Sequence, residues 1–194
     1  MCIRDRCYLD AIQQLKQKGK LGNLHFVWIG REPKQENLQD LVAESIQGHL
    51  TCLEPTNDLI NFFDAADVFV HLTKHQATPL VIMEAMAKGL PVIATSVDGV
   101  RELVDETGFL LPDPIWGPVA TILGKTLSWM DQSEQLRLEM GLAGAKHAQQ
   151  FFRADQMVNS YLNLIEALFY RLEISRSTES KKAVVEEFNS PPQL

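Results

Sequence analysis

The chain has 194 residues, 45% of them hydrophobic and 22% charged, which suits one globular domain with a sizeable core. Its net charge of −7 argues against nonspecific nucleic-acid binding, which needs a basic face, while leaving room for local basic patches. Cys2, Cys7 and Cys52 have no metal spacing and an odd count that suggests no disulfide framework; no apolar run approaches the roughly 20 residues of a membrane helix.

Met1 to Arg6 lacks the apolar core of a signal peptide and reads as an anomalous start, either a junction or a short N-terminal extension. Helical periodicity then predicts a helix from about Cys7 to Lys18, stopped at Gly19. Leu24 to Ile29 reads as a strand ending at Gly30, and Asn37 to Ile46 as an amphipathic helix. Leu50 to Leu53 is a short strand. Thr56 or Asn57 is expected to cap a helix carrying Leu59, Phe62, Phe63 and Ala66. A strand from Val68 to Leu72 follows.

The next stretch, Gln76-Ala-Thr-Pro-Leu-Val-Ile-Met-Glu84-Ala-Met-Ala-Lys-Gly-Leu-Pro91-Val-Ile-Ala-Thr95, is the most informative. Thr78 suits a helix cap and Pro79 its first turn, where a missing N–H costs nothing. Leu80, Met83 and Ala87 recur at helical spacing, and Gly89 ends the helix. Pro91 to Thr95 reads as a buried parallel strand. A helix opening on small residues offers unpaired N–H groups and the positive end of its dipole, a site for phosphate. Glu84, further into the helix, is placed to accept hydrogen bonds from sugar hydroxyls.

A short helix from Val100 and a strand from Phe109 to Leu111 complete the alternation, which predicts one parallel sheet of about five strands with right-handed crossovers. From Ile115 the pattern is helical only: one helix through Ile122 to Met130, a second from Glu134 to Phe152, and a third from Asp155 to about Arg171. The third puts Met157, Tyr161, Leu164, Ile165 and Leu168 on one face. The expected domains are residues 1–6 as the anomalous start, 7–172 as a Rossmann-like domain with C-terminal helices, and 173–194, rich in Ser, Lys and Glu, as a disordered tail.

The stretch from Gln76 to Pro112, with Ser96-Val-Asp-Gly-Val-Arg-Glu102 and Thr107-Gly-Phe-Leu-Leu-Pro112, resembles the signature of retaining glycosyltransferases of the GT-B fold, family 4 in particular (glycosyl transferases group 1). That signature is Glu, seven residues, then Glu-Ala-Met, a small residue, Gly, an apolar residue and Pro-Val. The resemblance runs in order of elements from about Leu9 to about Leu168 and covers only the C-terminal, donor-binding domain. It implies that Glu84 binds the nucleotide ribose, that the amides from Ala77 to Leu80 hold the diphosphate, and that position 76 contacts the donor sugar. The family has Glu there; this chain has Gln76, which keeps the size but not the charge.

Ligands of such sheets sit at the carboxyl ends of the strands. The resemblance assigns the base to the loops Gly30-Arg31-Glu32 and Leu53-Glu54-Pro55. Arg31 either reaches base or phosphate or solvates its loop; Glu54 either restricts the base pocket or points outward. His75 is a candidate acid–base group without a partner at a recognisable spacing, or a structural histidine.

The resemblance implies no metal and no cofactor, with helix N-termini and basic side chains balancing the diphosphate of a nucleotide-sugar donor. It also implies an upstream acceptor domain, an Arg and a Lys at the donor-domain entry just before Met1 that neutralise the diphosphate, and an acceptor glycan or lipid-linked saccharide. The expected location is the reducing cytoplasm, with the inner membrane surface where a lipid-linked acceptor would bring the full protein. Two alternatives stand beside a glycosyltransferase inactive without its other half: a noncatalytic nucleotide-sugar binding module and a GT-B nucleotide-sugar epimerase.

Overall fold

A computed structural model describes residues 3–30, 46, 48–113 and 118–189. The chain packs as two units, Met1–Gln150 and Phe151–Leu194. The first unit opens with α1 (Ile3–Gln17), then β1 (Phe26–Ile29) and β2 (Leu50–Leu53), α2 (Ile60–Ala65) and β3 (Phe69–His71). It continues with α3 (Leu80–Ala87), β4 (Val92–Thr95) and α4 (Asp98–Val104). A 3-10 turn leads to β5 (Phe109–Leu111), α5 (Val119–Asp131) and α6 (Glu134–Phe151). The predicted helix from Asn37 lies outside the described residues apart from its last position, Ile46.

All described strands are parallel, as the alternation predicts, but their hydrogen bonds form two ladders. One joins β1 to β2 from Phe26–Leu50 to Ile29–Leu53. The other has the order β3-β4-β5. The expected single ladder is therefore replaced by a pair and a triplet that share one core. In it Leu9, Ile12 and Leu15 of α1 and Leu123, Leu127 and Met130 of α5 pack with Phe26, Ile93 and Leu111 of the strands. Every residue of β4 is buried, the signature of a central parallel strand covered on both faces. Tyr8 packs edge-on against Phe26 and Trp28, and burial, with Cys52 adding to it, pushes its hydroxyl pKa well up.

Several boundaries move, each for a local reason. α1 begins at Ile3, inside the stretch read as an anomalous start; Arg6 and Asp10 form an i,i+4 ion pair there (3.9 Å). α2 starts at Ile60 because Thr56 does not cap it: its hydroxyl accepts the Asp58 N–H (3.1 Å), a turn that holds the chain out of the helix. α3 starts at Leu80 with Pro79 as the flanking residue, and Thr78 makes no cap. Its buried face is Ile82, Ala85 and Met86, whereas Leu80 is 65% exposed and Ala87 is exposed. Gly89 ends it as expected, at φ 75°.

The second unit carries α7, Ala154–Asn189. Residues 173–189, expected to be a disordered tail, continue that helix. The physical reason lies in the same composition: Lys, Glu, Arg and Ala favour helix, and no Gly or Pro intervenes before Pro191.

Candidate functional site at the carboxyl edge of the strands

Thr95, at the end of β4 and fully buried, ties two strand ends together. Its hydroxyl accepts the Thr73 N–H (2.9 Å) and donates to the Thr73 carbonyl (2.7 Å). The chain leaving β3 is thereby held against β4 and turns outward as the loop from Thr73 to Pro79. Pro79 is buried, while Lys74 to Thr78 are exposed. The loop leans on Gly99 at the start of α4: a Cβ there would stand 1.8 Å from the Ala77 carbonyl oxygen. Only glycine admits that approach. Because the Ala77 carbonyl faces Gly99, the Thr78 N–H of the same trans peptide faces the other way.

Among the described residues the N–H groups of Ala77, Thr78 and Leu80 donate to no acceptor, and Pro79 has none to offer. The amide set expected from Ala77 to Leu80 is thus three groups. They lie at the N-terminus of α3, the positive end of its dipole. Glu84 stands one turn beyond Leu80 on the same exposed side of α3, and its carboxylate has no partner among the described residues. The C-terminal end of α3 is anchored by Lys88, whose ammonium meets Asp64 of α2 at 2.6 Å.

Gln76 and His75 are not isolated. The Gln76 side-chain oxygen lies 2.9 Å from His71 Nε2, so His71 donates from that nitrogen. The Gln76 backbone N–H donates to Asp98 Oδ2 (3.0 Å), and His75 Nδ1 lies 3.6 Å from the same oxygen. Asp98 stands at φ 37°, a left-handed conformation that costs a non-glycine residue about 1–2 kcal/mol. Asp98 and Thr95 are the residues the sequence pattern does not single out. The Asp98-Gly99 pair, opening α4 just beyond the carboxyl end of β4, is the signal that points to them.

The remaining expected site residues sit on the other ladder. Gly30, at φ 147°, donates its N–H to the Leu53 carbonyl (3.0 Å), which joins the ends of β1 and β2. Glu54 follows, exposed, and Arg31 lies outside the described residues. No hydrogen bond or ion pair among the described residues links Gly30, Leu53 or Glu54 to the loop from Thr73 to Pro79. Among the described residues no three of His, Cys, Asp and Glu come together as a metal-ligand set, and no helix is long and apolar enough to cross a membrane.

The model of the family described as glycosyl transferases group 1 matches residues 6–117. The chain belongs to that family. An uncharacterized glycosyltransferase of Haemophilus influenzae is 35% identical over 106 residues, 53% of this chain and 30% of that protein. A GDP-mannose-dependent alpha-mannosyltransferase of Mycobacterium tuberculosis is 44% identical over 93 residues, 47% of this chain and 24% of that one.

Among solved structures, Anabaena Alr3699/HepE in complex with UDP superposes with a TM-score of 0.71 at 19% identity, over 84% of this chain and 44% of that one. TarM gives 0.70 at 14% identity, over 83% and 32%. The fold is the Rossmann-like α/β domain of GT-B glycosyltransferases with added C-terminal helices. This member of the family spans less than half the length of the relatives and structures it matches.

Proposed function

We propose that this glycosyl transferases group 1 chain is the donor-binding domain of a retaining glycosyltransferase. It would receive a nucleotide diphosphate sugar, whose sugar passes to an acceptor hydroxyl on a glycan or lipid-linked saccharide held by a further domain. The observation that carries the reading is the set of unpartnered N–H groups of Ala77, Thr78 and Leu80 at the head of α3, with Glu84 on the same side. The amides and the helix dipole hold the diphosphate as negative charge develops on the leaving group. Glu84 accepts hydrogen bonds from the ribose, and Gln76, with His75 beside it, faces the sugar. Gly30, Arg31, Leu53 and Glu54 form the base side.

In this reading no metal or cofactor is required, because dipole, amides and basic side chains at the donor-domain entry share the charge. The place of action is the cytoplasm, at the inner membrane surface where the acceptor is lipid-linked.

Gln76 favours a second reading, a noncatalytic nucleotide-sugar binding module. A neutral amide cannot stabilise an oxocarbenium-like transition state as a carboxylate would, and one such electrostatic contribution amounts to roughly 2.7–4 kcal/mol. Calorimetry with UDP, GDP and their sugars, together with a turnover assay, tests both. The donor-domain reading expects binding of at least one nucleotide diphosphate sugar and negligible transfer by this chain alone; absence of any binding, or robust transfer without another domain, counts against it. Gln76→Glu in a two-domain enzyme then separates the readings. A rise in turnover with little change in donor affinity supports the transferase, an unchanged nonzero rate means a transferase adapted to glutamine, and no turnover with either residue supports the binding module.

A further inference from the structure

We propose that Asp98 is a positioning residue for the loop from His75 to Pro79: its carboxylate sets the loop so that the Ala77, Thr78 and Leu80 N–H groups and the Gln76 amide meet one ligand. As a statement about binding it rests on the donor-domain reading; as a statement about the loop it does not.

Three observations converge on it. Asp98 holds a left-handed φ of 37°, which a non-glycine side chain rarely adopts. Such conformations persist where the surroundings impose them, and they gather at ligand clamps. The side chain is used: Oδ2 accepts the Gln76 N–H at 3.0 Å and stands 3.6 Å from His75 Nδ1, so one carboxylate oxygen holds Gln76 and faces the residue before it. The next residue, Gly99, forms the floor on which the Ala77 carbonyl rests. Asp98 and Gly99 together therefore fix both sides of the Gln76–Ala77 segment, and the Thr78 N–H is turned outward as a consequence.

Position 98 thus supplies a carboxylate to the loop itself, while position 76 presents an amide whose NH2 group donates. A ligand meeting Gln76 there offers an acceptor oxygen, such as a phosphoryl, ring or hydroxyl oxygen, rather than needing a carboxylate to receive its protons.

The test compares Asp98→Asn, Asp98→Gly and Asp98→Ala in this chain. Asparagine keeps an acceptor oxygen and tolerates left-handed backbone; glycine suits the backbone but removes the acceptor; alanine suits neither. Amide exchange at Gln76, followed by NMR, is slow in the parent and in Asp98→Asn, and about tenfold faster in Asp98→Gly and Asp98→Ala. Affinity for UDP and UDP-glucose falls about tenfold, or about 1.4 kcal/mol, in the glycine and alanine variants and less than threefold in Asp98→Asn. Melting temperature stays near the parent's in the asparagine and glycine variants, because the residue is exposed.

Unchanged Gln76 exchange in Asp98→Gly overturns the proposal. So does faster exchange with unchanged affinity, or an Asp98→Asn variant as impaired as Asp98→Ala. A parent that binds no nucleotide, with the exchange pattern as expected, leaves Asp98 as the loop's anchor and counts against the donor-domain reading instead.

Discussion

The two ends of α3 are built with the same device and serve different ends. At the N-terminal end the Ala77 carbonyl rests on Gly99, where a Cβ would stand 1.8 Å from the oxygen. At the C-terminal end the Gly89 carbonyl rests on Gly141 of α6, where a Cβ would stand 2.0 Å away. Both contacts bring a backbone oxygen against a helix and require glycine for the approach. Around Gly141 the neighbours are buried: Gly144 lies over Met86, and Leu90 and Pro91 close the junction. Around Gly99 the neighbouring loop is exposed, and among the described residues the N–H groups of Ala77, Thr78 and Leu80 donate to no acceptor. Close approach alone therefore does not mark a functional site; close approach beside unsatisfied polar groups does.

Substituting the two glycines separates stability from binding. Gly141→Ala drives a methyl group into the Gly89 carbonyl, and neither α6 nor the turn after α3 can move without opening the core. We expect a loss of about 1–3 kcal/mol or more in unfolding free energy, as for other overpacked sites, seen as a fall in melting temperature of several degrees. Gly99→Ala meets a loop that has solvent on its far side. The loop shifts, stability falls less than in Gly141→Ala, and nucleotide-sugar affinity drops by about tenfold as the amides lose their common direction. Equal melting temperatures for the two variants, or an unchanged affinity in Gly99→Ala, would break the comparison.

How far the sequence discloses this arrangement follows from which forces act locally. β2, β4 and β5 fall where their short apolar runs are bounded by turns, and for β4 burial on both faces selects such a run. Gly89 is legible because a left-handed residue after a helix demands glycine. The buried face of α3 is not. All of Leu80, Val81, Ile82 and Met83 are apolar, so periodicity cannot choose a face, and packing against α6 and β4 chooses Ile82, Ala85 and Met86. Asp98 is hidden for another reason. Its role depends on a hydrogen bond to a residue 22 positions earlier, which no local pattern carries. The helix through 173–189 is missed because low hydrophobicity speaks to burial rather than to helix propensity.

The third prediction stays at the N-terminal end of α3. Glu84→Ala removes a carboxylate that has no structural partner among the described residues, so the fold is expected to be untouched. The proposed ribose contact is a charged hydrogen bond, and its loss lowers affinity by about 1.5–3 kcal/mol. An affinity loss measured with UDP-glucose but absent with free glucose phosphate, which has no ribose, ties the effect to that contact. A stability change in place of an affinity change would make Glu84 a structural residue.

The smallest effect belongs to Gln76. Its backbone N–H is held by Asp98 whatever the side chain, so Gln76→Ala leaves the loop in place and removes only the amide and its bond from His71. A neutral hydrogen bond contributes about 0.5–1.5 kcal/mol, which sets the expected affinity loss below that of Glu84→Ala. His71 loses its acceptor but remains half-buried near water, which can replace the bond at little cost. Calorimetry of the two variants against the same nucleotide sugar decides the order. If Gln76→Ala proves the more damaging, position 76 carries more of the ligand than a neutral amide can, and the ribose assignment of Glu84 falls with it. If neither variant matters while Gly99→Ala does, the backbone amides alone hold the ligand, and the N-terminal end of α3 is a phosphate site that reads nothing of the sugar or the ribose.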